Sequence, residues 1–233
     1  MTESCRVLVV AAHPEDAEIA MGMKIRSLVL QGATVRIHCL SDGRRRADVP
    51  KGQDVRTAEA LAAGKILGVS EYTFSEVPDN QFTSHRTLIN SVLFHVIREF
   101  RPTAVFTHFP KDQHLDHVIT GEEVSVVASR EVCNIFYFRS PYSLEFSPNF
   151  FFFSTPGLLA VKMAALSCFP SQAQLNIEVF GQLAGLAYYQ HVHHRVLERI
   201  SDQHASLRAE MFRIERLIEY VSDPQAVASE HSE

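Results

Sequence analysis

Two short stretches of this chain concentrate imidazole and carboxylate groups. The first is His13-Pro14-Glu15-Asp16-Ala17-Glu18, and the second is His108 to His117, written HFPKDQHLDH. Imidazole nitrogens and carboxylate oxygens are the donors that divalent transition metals take; two His, one Asp and an open position fit a catalytic zinc site. A further carboxylate beside such an ion can serve as a base. The same two-His, one-carboxylate composition is also the facial triad of non-haem iron(II) oxygenases. Histidine at a strand end is often only a cap or a hydrogen-bonded loop residue, so either stretch alone is weak evidence. Together, at equivalent ends of two strands, they carry much more.

Such strands are legible in the chain. Val7 to Ala12 is a continuous apolar, β-branched run ending at His13-Pro14, the pattern of a fully buried strand in a parallel sheet. Ala17 to Gln31 carries apolar residues at near-helical spacing and is stopped by Gly32. Strand Ala33 to Leu40, helix Asp54 to Leu67, strand Glu71 to Ser75, helix Arg86 to Phe100 and strand Thr103 to Thr107 follow. This alternation indicates βαβ units with right-handed crossovers. Both polar stretches then lie at strand carboxyl ends, where open α/β sheets hold their ligands. If the two strands are neighbours, the stretches share one crevice.

Further on, His117 to Ser129 reads as a helix, Asn134 to Ser154 as one or two strands, and Pro156 to Phe169 and Gln172 to Tyr189 as two helices. From Val196 to Val221 the apolar residues Val196, Ile200, Leu207, Met211, Ile214, Leu217 and Val221 form one stripe at helical spacing. The expected architecture is therefore α/β: a Rossmann-like, mostly parallel sheet flanked by helices, in a domain of residues 1–194. A C-terminal amphipathic helix over 195–222 packs on that domain or on a second subunit as a homo-oligomer contact, and 223–233 form a tail.

Composition narrows the function classes. With 233 residues, 46% hydrophobic and 21% charged, the chain has ordinary globular usage and room for a large core. A net charge of -5 gives no global reason to bind nucleic acid. Cys5, Cys39, Cys133 and Cys168 show no CxxC spacing and are expected to be reduced, as in a cytoplasmic protein. Met1 to Arg6 is polar and Val7 to Ala12 is too short for a signal h-region, so no secretion is expected. No apolar stretch is long enough for a membrane span.

The order HPED with Glu18 shortly after, then a HLDH box about a hundred residues on, resembles the LmbE-like (PIG-L type) zinc-dependent N-deacetylases, which act on N-acetylated aminosugars and their conjugates. The resemblance runs from residue 6 to about 190 and takes in Arg56, Glu59, Pro78-Asp79, Pro148-Asn149-Phe150 and Ser171-Gln172. It implies a Zn2+ ion, or another divalent metal, on His13, Asp16 and His117. It further implies Glu15 as general base, His114 as a second active-site imidazole that stabilises the oxyanion, and Asp116 as the carboxylate that orients it. The implied substrate is a small N-acetylated sugar or conjugate, and the implied product acetate with a free amine. The chain departs from the family in carrying Glu15 where Asp is usual, Phe153 where Asp is common, and Tyr188-Tyr189-Gln190 where Tyr-Ala-Glu is common. These departures leave open a member that binds a sugar or partner without turnover.

Arg44, Arg45 and Arg46, with Arg56 further on, follow the second strand on the same sheet edge. They are either a solvated charge run or a substrate-binding group for phosphate on a nucleotide sugar or sugar phosphate. Phe150 to Phe153 read as strand rather than as a binding platform, and His191, His193 and His194 as a solvated helix start rather than a second metal cluster.

Overall fold

The computed structural model describes residues 5–43, 55–172, 176–201 and 206–219. Strand β1 (Arg6–Ala11) leads into α1 (Asp16–Leu30), followed by β2 (Thr34–Cys39), α2 (Val55–Leu67), β3 (Glu71–Phe74), α3 (Arg86–Phe100) and β4 (Ala104–His108). Then come α4 (Leu115–Glu131), β5 (Asn134–Phe138), β6 (Phe150–Ser154), α5 (Pro156–Leu166), α6 (Ile177–Leu186), α7 (His194–Ile200) and β7 (Arg208–Arg216). The strands form one seven-stranded sheet in the order β3-β2-β1-β4-β5-β7-β6. Strands β1 to β5 are parallel, and β7 runs antiparallel to both its neighbours. The expected mixed α/β architecture with a mostly parallel sheet is the one the chain adopts.

Alternate residues of β1 feed two cores. Val7, Val9 and Ala11 face α1, α2 and α5, whereas Leu8 and Val10 face α3 and α4. Both faces of the strand are covered, which is why its sequence is continuously apolar. Strand β1 is flanked by β2 on one side and β4 on the other, with Val7 beside Ala104 and Val10 beside Thr107. The chain connections diverge at this point, so a crevice opens over the carboxyl ends of β1 and β4.

The C-terminal segment corrects the sequence reading. In place of a helix over 195–222, α7 ends at Ile200 and residues 208–216 form β7, inserted between β5 and β6. The apolar stripe misleads because Ala209 to Phe212 of β7 are buried on both faces. Ala209 and Met211 pack with Tyr188 and Leu197, while Phe212 packs on the α1 side. In a strand, Met211 and Ile214 point to opposite faces; their spacing of three mimics one helical face only in projection. A sheet strand also removes the expected division at residue 194 and the helix proposed as a subunit contact. Residues 223–233 lie outside the described residues.

Other expectations hold. Phe150 to Phe153 form the half-buried edge strand β6, and His193 caps α7 by accepting the Arg195 N–H on Nδ1 at 3.3 Å. All four cysteines are free thiols. Among the described residues, no helix is long and apolar enough to cross a membrane.

Candidate active site

Local geometry places each polar group at the crevice. After β1, Pro14 and Glu15 turn the chain into α1, and Glu15 takes a left-handed φ of 90° at the N-cap. A bulky non-glycine residue is strained there, at a cost of about 1–3 kcal/mol. The neighbouring side chains Glu15 and Asp16 are thereby free to engage different partners. On the other side of the crevice, His114 caps α4, and Gly121 brings that helix onto the end of β4. A Cβ at Gly121 would stand 2.5 Å from the His108 carbonyl oxygen. This close approach carries His117 to β4, where its ring stacks on His108 with centroids 4.1 Å apart. His108 accepts the Ala12 N–H on Nε2 at 3.1 Å, tying the two strand ends together.

His13, Asp16 and His117 are all buried, and each presents a donor atom within 4.8 Å of the others. His13 Nδ1 is 3.4 Å from Asp16 Oδ2, and His117 Nε2 is 3.5 Å from Asp16 Oδ1. The outward nitrogens face carboxylates. His13 Nε2 lies 3.2 Å from both Asp79 and Asp116, and His117 Nδ1 lies 3.3 Å from Asp112. An imidazole whose far nitrogen is held by a carboxylate is fixed in orientation and made a better metal ligand. His13, Asp79, His114 and Asp116 form an overlapping second group with the same donor spacing.

The electrostatics fit a cation. Glu15, Asp16, Asp79, Asp112 and Asp116 are buried around the crevice, a concentration of carboxylates that is costly without positive charge. Burial pulls the His13 imidazole down, but hydrogen bonds with Asp116, Asp16 and Asp79 outweigh it and hold its pKa well above the ordinary value. Asp16 stays well below the usual carboxylate range; burial pushes it up, and the charges of His117 and His108 more than reverse that. Glu15 behaves differently. Burial pushes its pKa up to about 8, although Arg56 pulls it down. The Arg56 Nη2 donates to both Glu15 oxygens, at 2.6 and 2.8 Å, and Nη1 to Asp79 at 3.5 Å. His114 is lowered by burial and then by the neighbouring His117 and His13, so it is favoured as the neutral ring. Its Nδ1 accepts the Asp116 N–H at 3.3 Å, which leaves the proton on Nε2.

The structure thus brings together His13, Glu15, Asp16, His114, Asp116 and His117 from the two sequence stretches. Asp116, however, faces away from the role expected of it. Its carboxylate takes His13 Nε2 and the backbone N–H groups of Asn80 at 2.6 Å and Phe82 at 3.2 Å, rather than the His114 ring. Arg56 is committed to Glu15 and Asp79, and Arg44 to Arg46 lie outside the described residues. The sequence reading gave no role to two carboxylates that lie against the His13 and His117 rings. Asp79 had a signal in the Pro78-Asp79 pair; Asp112 had one in its place inside HFPKDQHLDH. Asp112 is held at about 2, where burial is outweighed by the adjacent His117 ring and by hydrogen bonds from Ser140 and the His114 N–H.

Residues 8–128 match the family model described as PIG-L: GlcNAc-PI de-N-acetylase. The chain is 27% identical over 166 residues to the uncharacterized deacetylase YaiS of Escherichia coli (strain K12), covering 69% of this chain and 88% of YaiS. It is 30% identical over 138 residues to a 4-oxalmesaconate hydratase of Pseudomonas putida, covering 53% of each, so it spans about half that relative's length. Among solved structures, N,N'-diacetylchitobiose deacetylase from Pyrococcus horikoshii superposes with a TM-score of 0.67 at 20% identity, over 97% of this chain and 89% of that one. This last likeness is one of fold.

Proposed function

The chain belongs to the PIG-L deacetylase family, and on that premise we propose that it hydrolyses the amide of an N-acetylated aminosugar, free or conjugated, releasing acetate and a primary amine. The observation that carries the reading is the buried donor set of His13, Asp16 and His117 within 4.8 Å, with Glu15 close enough to feel the charges of Asp16 and His13. Two imidazoles and one carboxylate suit Zn2+ or another divalent ion. Such an ion, when bound, acidifies water toward neutrality and polarises a carbonyl oxygen. Asp112 and Asp116 orient the two ligand imidazoles.

An amide is a poor electrophile with a poor leaving group, so the protein must also move protons. Glu15, with an affinity for protons near neutrality, suits a general base that takes the proton of the attacking water and passes it to the departing nitrogen. Arg56 holds both oxygens of that carboxylate and fixes its direction. His114, neutral with its proton on Nε2, is a donor for the carbonyl oxygen as negative charge develops there. The neutral ring replaces the protonated one that pairing with Asp116 would have given.

The test is incubation of the metal-loaded protein with a panel of N-acetylated sugars, nucleotide sugars and thiol glycosides, scoring new primary amine. Amine release that chelation abolishes and Zn2+ restores supports the reading; full turnover in metal-free protein refutes it. The hydratase relative supports a second reading, water addition to a conjugated double bond by the same base and ion. Loss of conjugated-enol absorbance without amine release would favour it.

A further inference from the structure

An open cavity of about 150 Å³ is lined by Ile19, Arg139, Ser140, Leu183, Ala184 and Met211 among others. Two of its lining residues are each one step from residues of the site. Ile19 follows Glu15 by one helical turn, its N–H donating to the Glu15 carbonyl at 3.0 Å. Ser140 Oγ donates to Asp112, which in turn faces His117 Nδ1 at 3.3 Å. Through these two links the cavity connects to the residues that surround the donor set.

The lining has a definite chemistry. Lys162 and Glu210 also border the cavity, but they neutralise each other at 2.8 Å and spend their remaining capacity on backbone groups of α1. Ser140 is engaged by Asp112. Arg139 has no ion-pair or hydrogen-bond partner among the described residues. It is the lining charge left uncommitted, at the carboxyl end of β5. The opposite wall is apolar and incompletely covered: Leu183 lines the cavity yet is 45% exposed, and Leu186, one turn on, is 64% exposed. Its volume is of the order that holds a benzene-sized group.

We infer that this cavity is a subsite for an apolar, ring-sized substituent bearing an anionic group, the apolar body lying against Leu183, Ala184 and Met211 and the anion pairing with Arg139. The inference rests on the proposed function only in calling the occupant part of the substrate; the binding itself requires no turnover. It narrows the substrate class to conjugates with such a substituent in place of a simple neutral sugar.

The probes are benzenesulfonate and its neutral counterpart benzyl alcohol, titrated calorimetrically into the metal-loaded full-length protein. Both should bind saturably, benzenesulfonate more tightly. Arg139, which is exposed, should contribute on the scale of a solvent-exposed ion pair: Arg139→Ser should weaken benzenesulfonate by about two- to fivefold and leave benzyl alcohol unchanged. Ala184→Phe should fill the cavity and remove binding of both, and Ala187→Leu, at another lining position, provides an independent obstruction should Ala184→Phe lower the melting temperature. Absence of saturable binding overturns the subsite, as does equal affinity of wild type and Arg139→Ser for benzenesulfonate, or binding that persists in both filled variants. Binding with the expected pattern in a protein that releases no amine from any substrate overturns the deacetylase reading and leaves the subsite standing.

Discussion

Replacing Asp112 by Asn isolates one charge behind the His117 ring of the proposed metal site. Asp112 Oδ1 faces His117 Nδ1 at 3.3 Å and accepts the His114 N–H at 2.9 Å, while Oδ2 accepts from Ser140 and, at 3.0 Å, from Ser143. Asparagine keeps the Oδ1 contacts, and both serine hydroxyls can rotate to accept from its NH2 group. The loop should therefore keep its shape while His117 loses its anionic partner. Removing a partner of this kind lowers metal affinity by about 10–100-fold, or about 1.4–2.7 kcal/mol. Competition against a chromophoric chelator reads that affinity directly, and the melting temperature of the metal-free protein checks the loop. If Asp112→Asn binds Zn2+ as tightly as wild type, Asp112 is a staple of the loop with no part in preparing His117, and the argument from outward nitrogens fails.

His117→Ala should lower bound metal well below one equivalent, measured by elemental analysis, whereas Glu15→Ala should retain the metal and lose about 100- to 10,000-fold in turnover; near-normal turnover would make another group the base. Glu210→Ala leaves the Lys162 charge buried and the N–H groups of Met23 and Lys24 without their carboxylate, next to the break in α1 at Met21. Urea unfolding should show a loss of about 3–5 kcal/mol, and a change under 1 kcal/mol would contradict the assigned role. Burial, reinforced by Arg36, holds the His38 pKa down to about 4 against an ordinary 6.5. The unfolded chain then binds more protons between those values, so stability is full above pH 6.5 and falls as the pH drops toward 4, by up to ~3 kcal/mol. His38→Asn should flatten that portion of the pH–stability curve in urea titrations; parallel curves would show that His38 does not contribute.

The sequence alone determined the features that depend on neighbours in the chain. The apolar run of β1, the periodic faces of α1 and α3 and the stop at Gly32 follow from local spacing, and the HPED and HLDH boxes carry their chemistry in their own order. That they meet required only that β1 and β4 be adjacent, which βαβ topology favours. The tertiary structure decided the rest, because it depends on partners far apart in sequence. Residues 208–216 are a strand because β5 and β6 offer it edges and both its faces find cover, information that no spacing within the segment contains. Asp116 serves His13 rather than His114 because the turn at Asn80 and Phe82 draws its carboxylate across the crevice. Arg56, read as a substrate cation, is bound to Glu15 from 41 residues away. A motif fixes which groups are present, but the direction in which each buried charge turns is set by the opposite charges that folding brings within reach, since a buried charge left unpaired is too costly to persist.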